Sequence, residues 1–139
     1  MRGPYVIRAA APPDAEALLA LWREADAEVT ETDDLIGVHD LLAHDPAAVL
    51  LADADGTVIG SLIAAWDGWR GQLYRLAVHP AWRRQGVATA LVQTGEERLR
   101  ALGARRVAAI VIDEHPVARS FWRAAGYVQT AQVRFVRSL

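Results

Sequence analysis

One stretch, Tyr74 to Leu91, constrains this chain more than any other: Tyr-Arg-Leu-Ala-Val-His-Pro-Ala-Trp-Arg-Arg-Gln-Gly-Val-Ala-Thr-Ala-Leu. Leu76, Ala77 and Val78 read as the end of an apolar strand. Pro80 stops that strand, because it has no N–H to donate to a sheet ladder. A basic turn follows through Arg83, Arg84, Gln85, Gly86, Val87 and Ala88, and helical spacing begins at Val87. Gly86 lets the backbone approach a ligand without a Cβ in the way. The first N–H groups of the helix have no partner inside it, and its dipole favours negative charge there. Two arginines beside such an end make a seat for a phosphate or pyrophosphate.

The elements around this stretch follow from periodicity and punctuation. Tyr5 to Ala10 is expected as a first strand, stopped by Pro12 and Pro13. Asp14 then opens an amphipathic helix whose stripe is Leu18, Trp22, Ala25 and Val29. A weaker helix is expected over Asp34 to Ala43, burying Leu35, Val38 and Leu42. Val49 to Ala52 forms a strand, Asp53-Ala54-Asp55-Gly56 a hairpin turn, and Thr57 to Trp66 a central strand apolar on both faces. A turn at Asp67 to Gly71 leads into Gln72 to Val78.

The next helix, Val87 to Leu102, directs Val87, Ala88, Leu91, Leu99 and Leu102 to the core, with Gly95 on the same face and Gly103 at its end. Arg105 to Ile112 contains an unbroken apolar run, expected as a strand buried on both faces. Pro116 opens a last helix with Val117, Ser120, Phe121 and Ala124 on one side. Gly126 closes it, and Tyr127 to Leu139 is expected to form one or two closing strands. Strand, crossover helix, strand is a right-handed βαβ unit. The fold class is therefore α/β: a mixed sheet of antiparallel N-terminal strands plus one parallel βαβ crossover, with helices on both faces. A single crossover argues against a dinucleotide fold, and the absence of Gly-Lys-Ser/Thr against a triphosphate loop.

Composition narrows the partners. A length of 139 residues suits one domain, 1–139, and a formal charge of −2 lacks the basic excess of a nucleic-acid binder. With no cysteine, disulfides, thiolate metal sites and a cysteine nucleophile are excluded. No apolar run reaches the roughly 20 residues of a membrane helix, and the start lacks a signal-peptide pattern, so a cytoplasmic protein with no membrane partner is expected. Glu24, Asp26, Glu28, Glu31, Asp33 and Asp34 form an acidic run with no Lys or Arg from Ala25 to Asp40. It is either a solvated helix end and loop or a rim that attracts a cationic substrate.

With the basic turn set between this strand and this helix, the chain resembles the GNAT superfamily of N-acetyltransferases, in its small bacterial single-domain form. The family's phosphate signature is Arg or Gln, two residues, Gly, one residue, Gly or Ala; Arg83, Gly86 and Ala88 match it. Leu76-Ala77-Val78-His79-Pro80 resembles the preceding strand end, and Ala118 to Tyr127 the final helix and its following strand. Asp67-Gly68-Trp69-Arg70-Gly71 is similar to one branch of the family. The resemblance implies a GNAT-like sheet, acetyl-coenzyme A as cosubstrate, and acetyl transfer to a primary amine of a small molecule or protein by direct attack. It implies that Arg83, Arg84, Gln85, Gly86, Val87, Ala88 and Thr89 hold the pyrophosphate. Leu76, Ala77 and Val78 would pair with the pantetheine, a backbone N–H there polarising the thioester carbonyl. His115, Ala118 and Trp122 would contact the coenzyme from the last helix.

Two positions depart from the family pattern. His115 stands where many members have Asn, and Phe121-Trp122 where many have Phe-Tyr, the Tyr serving as general acid. Indole does not titrate usefully, so Trp122 does not inherit that role. Tyr74, His115 and Tyr127 are the candidate acids, each with a structural alternative. Asp67, Glu28, Glu31 and His39 are candidate bases, with water carrying the proton as another route. Trp66 is expected to pack, whereas Trp69 and Trp82 are packing or an aromatic wall for the acceptor. The missing Tyr keeps a second reading open, a non-catalytic acyl-coenzyme A-binding regulatory or sensor module. A third is a structural protein whose turn binds nothing. An exposed closing strand would allow a homodimer.

Overall fold

The computed structural model describes residues 3–25, 27, 29–111 and 116–139. Short apolar runs separated by turn residues build its sheet. The strands β1 (Val6–Ala9), β2 (Val49–Ala54), β3 (Thr57–Trp66) and β4 (Gly71–Val78) are successive antiparallel neighbours. The last strand, β5 (Val107–Ala109), joins β4 in parallel, giving the order β1-β2-β3-β4-β5. The β2–β3 turn narrows to Asp55 and Gly56, both at positive φ, as a tight hairpin requires. Asp53 braces it by accepting the Gly56 N–H at 2.7 Å.

Helices cover both faces. A short helical turn (Pro12–Asp14) leads into α1 (Ala15–Glu24), and α2 (Leu35–His44) follows. Leu18, Leu21 and Trp22 of α1, with Val38 and Leu42 of α2, pack on Val49, Leu51, Ile63 and Ala77. On the opposite face, α3 (Val87–Leu102) and α4 (Pro116–Ala124) place Val87, Leu91, Val92, Leu99 and Trp122 on Leu50, Ala52, Ile59, Leu62, Ala64 and Leu73. Period-two alternation explains the division of β2: Val49 and Leu51 point one way, Leu50 and Ala52 the other. Each fully buried Leu here contributes about 1.5–3 kcal/mol. Gly95 lets α3 settle on β3, since a Cβ there would lie 2.9 Å from Leu62 Cδ2. That contact offsets the roughly 1 kcal/mol that Gly costs inside a helix.

Several sequence expectations are corrected. The helix α1 ends at Glu24, where the Ala25 and Ala27 N–H groups turn back to Leu21 and Trp22 carbonyls. Val29 therefore falls outside the stripe and is exposed, as is Leu35. Leu102 is exposed in the last turn of α3, and Val92 fills the face instead. The expected strand over Arg105 to Ile112 shortens to Val107–Ala109 with Ala108 exposed, β5 being the sheet edge, where among the described residues β4 alone pairs with it; Ile112 lies outside the described residues.

In α4, Val117, Ser120 and Ala124 face solvent, and the inward side is Phe121 and Trp122. No strand forms over Tyr127 to Leu139: Tyr127 packs on Trp122, whereas 128–139 is exposed and irregular.

Arg8 clasps the N-terminal strand to its surroundings, meeting Asp14 at 2.8 Å and Asp53 at 2.9 Å. Hydrogen bonds from its guanidinium hold both carboxyls below the ordinary aspartate range. Stabilisation by such groups is present above the ordinary aspartate pKa and is lost as pH falls through the depressed values. Arg8→Met is expected to cost about 1 kcal/mol at neutral pH, the small value reflecting solvent screening. Urea unfolding of both proteins checks this, and the gap should close on acidification below the ordinary carboxylate range.

Candidate active site

The end of β4 is where the sheet opens. Parallel pairing with β5 covers only Gly71 to Leu73. Gly71 N–H donates to the Arg106 carbonyl and the Leu73 carbonyl accepts from Ile110 N–H, both at 3.1 Å. Beyond Leu73, no described residue pairs with β4 on that side.

Against β3, the register slips: Ser61 faces Ala77 and Ile63 faces Tyr74, so β4 carries one extra residue. This is a β-bulge, and Arg75 sits in it at φ 52°. A non-glycine residue held there costs on the order of 1–2 kcal/mol, sustained by its surroundings.

The bulge reverses the strand's parity. Successive residues of a strand turn their N–H and C=O groups to opposite neighbours. Gly71 and Leu73 face β5, whereas His79 faces β3, its N–H donating to the Ile59 carbonyl at 2.8 Å. Odd-numbered residues thus face β5 before the bulge and β3 after it. Leu76 and Val78 consequently turn their backbone groups to the open side.

Pro80 then ends the strand in a short helical turn (Pro80–Trp82). His79 Nδ1 accepts the Ala81 N–H at 3.1 Å, and its Nε2 meets Glu24 of α1 at 2.7 Å. The chain runs on through exposed Arg83 and Arg84, the latter at φ 62°, and half-buried Gln85 to Gly86. Gly86 caps α3 in the left-handed region at φ 80°, and among the described residues no side-chain cap bond closes the helix start. The Ala90 N–H is bonded to the Gly86 carbonyl, which leaves Val87, Ala88 and Thr89 as the N–H groups a helix start cannot pair internally. A Cβ at Gly86 would meet nothing within 4 Å, so the space before the helix is open. An oxyanion of phosphate type fits this end, with two guanidinium groups beside it.

The remaining candidates divide. Trp122 is 8% exposed and stands edge-on to Phe121 and Tyr127, with ring centroids 5.3 and 4.9 Å away. It is a packing residue, with Ala118 half-buried one turn earlier. The Tyr127 hydroxyl donates to Glu96 at 2.7 Å. Burial, then that carboxylate, pushes its pKa above the ordinary tyrosine range, which suits a fixed strut rather than a proton donor.

Tyr74 packs on the α1 side of β4 and donates to the Gln72 side-chain carbonyl. Asp67 Oδ1 accepts the Trp69 and Arg70 N–H groups at 2.8 and 2.7 Å, bonds that hold its carboxyl low, at the opposite end of β4 from the basic turn. His39 Nε2 lies 3.3 Å from the Pro12 carbonyl on the outer side of α2. Trp66 packs on the α3 face, Trp82 meets Tyr5 edge-on at 6.2 Å, and exposed Trp69 carries the Arg70 guanidinium at 3.9 Å. His115 and Glu28 lie outside the described residues.

Asp26, like Glu28, lies outside the described residues, and the described members of the acidic run are engaged in structure. Glu24 holds His79, Glu31 accepts from Ser138, and Asp34 caps α2 by accepting the Gly37 N–H at 2.7 Å. Asp33 accepts the Thr30 N–H at 2.7 Å and pairs with Arg75. A hollow of about 50 Å³ between Leu19, Trp22, Arg23, Val29 and Asp33 adjoins this pair, room for little more than water.

Sequence reasoning missed the buried centre of this region. Ser61 is fully buried; its hydroxyl accepts from the Trp22 Nε1–H at 3.0 Å and donates to the Arg75 carbonyl at 2.9 Å. The available signal was one hydroxyl in the otherwise apolar run Val58 to Trp66.

Comparison with known proteins agrees with this geometry. Residues 15–127 match the model of the acetyltransferase (GNAT) family. An acetyltransferase of Photorhabdus laumondii is 34% identical over 109 residues, covering 78% of this chain and 76% of the relative. Among solved structures, Ard1 of Thermoplasma volcanium superposes with a TM-score of 0.82 at 23% identity, covering 91% of this chain and 84% of that one. Aminoglycoside N-acetyltransferase AAC(6')-Iy, solved in complex with CoA, superposes with a TM-score of 0.75 at 22% identity, over 99% and 97% of the two chains.

Proposed function

Since this chain belongs to the GNAT acetyltransferase family and is an acetyl-transferring enzyme, we propose that it carries the acetyl group of acetyl-coenzyme A to a primary amine by direct attack. The observation that carries the donor side is the uncapped start of α3 behind left-handed Gly86, with open space before it. Arg83 and the backbone N–H groups from Arg84 to Thr89 hold the pyrophosphate, and exposed Arg84 adds charge. The open edge at Leu76 and Val78 bonds the pantetheine arm as a further strand would, with Ala77 between them.

Direct attack needs no nucleophile from the protein, in keeping with the absence of cysteine. The unprotonated amine nitrogen bonds to the acetyl carbon, the carbonyl oxygen gathers negative charge, the C–S bond breaks as that charge returns, and water carries off the proton that the nitrogen sheds. The Leu76 N–H, turned to the open side, stabilises that oxygen; removing a donor of this kind costs about 10²–10³ in rate. The leaving thiolate takes a proton from Tyr74 once its hydroxyl turns from the Gln72 side-chain carbonyl, since Trp122 does not titrate and burial beside Glu96 pushes the Tyr127 pKa up. The acceptor is a small molecule or a protein, with no nucleic acid or membrane involved. No described helix is long and apolar enough to cross a membrane, and we place the protein in the cytoplasm.

A second copy completes the assembly. Val128, Val133, Phe135 and Val136 are all more than three-quarters exposed, and β5 has a free outer edge. Strand pairing between two such segments covers both.

Four measurements check this reading. An amine screen that follows thiol release from acetyl-coenzyme A should find a primary-amine acceptor, and Gly86→Glu should abolish coenzyme binding by calorimetry while the protein stays folded. Retained binding in that variant rejects the phosphate seat. Tyr74→Phe should lower kcat about 10²-fold with coenzyme binding unchanged. Sedimentation should give a dimer that Phe135→Glu converts to monomer.

A further inference from the structure

The extra residue in β4 leaves the Arg75 carbonyl outside the β3 ladder, and one buried side chain receives it. The Ser61 hydroxyl donates to that carbonyl at 2.9 Å. The same hydroxyl accepts from the Trp22 indole N–H at 3.0 Å, so its one proton is committed to Arg75. Ser61 is the one polar side chain among the described core residues. From the other side, the Arg75 guanidinium pairs with Asp33 and lies 5.2 Å from the Trp22 ring. Asp33 is itself fixed by the Thr30 N–H and hydroxyl at 2.7 and 3.1 Å. Trp22 therefore grips Arg75 twice, by its ring and through Ser61.

A peptide group is planar and trans, so its C=O and N–H point in opposite directions. With the Arg75 carbonyl held toward Ser61 on β3, the Leu76 N–H must point away from β3, into the open edge. We propose that Ser61, oriented by Trp22, is a positioning residue that aims the Leu76 amide at the thioester carbonyl. This rests on the acetyl-coenzyme A reading above. Ser61 touches neither substrate; it fixes the direction of the group that does. Without its hydroxyl, the Arg75–Leu76 peptide is free to rotate, and the donor no longer meets the developing oxyanion. Ground-state binding through the basic turn, at the far side of Pro80, is left intact.

The test uses ¹⁵N-labelled full-length protein and its Ser61→Ala and Trp22→Phe variants. Leu18→Ala, a buried truncation on the same face of α1, serves as the control for loss of stability. In the wild type, the Leu76 amide resonance should move on adding acetyl-coenzyme A and move differently with coenzyme A alone. Ser61→Ala should lower kcat about 10- to 100-fold, leave the coenzyme Kd within twofold, and lose that difference at Leu76. Trp22→Phe should show the same pattern with a smaller fall. Leu18→Ala should lose thermal stability and keep both kcat and the Leu76 response. A folded Ser61→Ala protein with wild-type kcat and an unchanged Leu76 response overturns the inference alone. A fall in kcat that Leu18→Ala shares in proportion to its lost stability also overturns it. Wild-type protein that binds no coenzyme overturns the reading beneath it, and this inference with it.

Discussion

A strand bonds to two neighbours at once only while its residues alternate without interruption. In β4, that alternation is broken at Arg75, and the break falls where pairing with β5 has just ended. The two events reinforce each other. Had the parity continued, Leu76 and Val78 would bond inward to β3 and the open edge would display Arg75 and Ala77. The extra residue instead turns Leu76 and Val78 outward, so the free edge carries donors and acceptors in a new phase. The rest of the candidate site, from Pro80 to the start of α3, continues from the strand end that this bulge sets.

The bulge is unfavourable by itself, and the core makes it stable. Its left-handed Arg75 is held by contacts from α1, from β3 and from the loop before α2. These belong to one packed face, where Leu18, Trp22, Val49, Leu51 and Ile63 bury one another. On the opposite face, α3 is seated by Gly95 against Leu62, which fixes where its open N-terminus points. The two faces thus do different work: one shapes the strand edge and the other aims the helix end. Both act on the same short connection, residues 79–86.

Much of this was legible in the sequence, for identifiable reasons. The crossover helix matches its expected limits, Val87 to Leu102, because Gly86 and Gly103 are both left-handed caps and the residues between keep helical spacing. The β3 strand matches as well, being apolar on both faces and covered on both. The closing region was not legible. A run such as Val107 to Ile112 reads as buried whether it lies in the middle of a sheet or at its edge, and only the neighbours decide. Residues 128–139 have the composition of strands, and strand composition needs a partner to become a strand. In the candidate site, the Arg-rich turn was visible because its residues are contiguous. The Trp22–Ser61–Arg75 chain was not, since its members are separated by 39 and 14 positions and no local pattern joins them.

The acidic run shows the same limit from the other direction. As a string of charges it suggests a field that draws in a cation, but a carboxylate that holds a structural partner is not free to contact a ligand. Glu24, Glu31, Asp33 and Asp34 each hold a structural partner. Two of these bonds tie α1 and the loop before α2 directly to β4 and its end, Asp33 through Arg75 and Glu24 through His79. These carboxylates therefore serve first to hold the loop and α1 against β4 and its end. An acceptor that displaced Arg75 from Asp33 would loosen the same peptide that Ser61 holds. In the reaction proposed above, acceptor entry and donor geometry would therefore be linked through one side chain, and a productive amine would be one that leaves the Asp33–Arg75 pair intact.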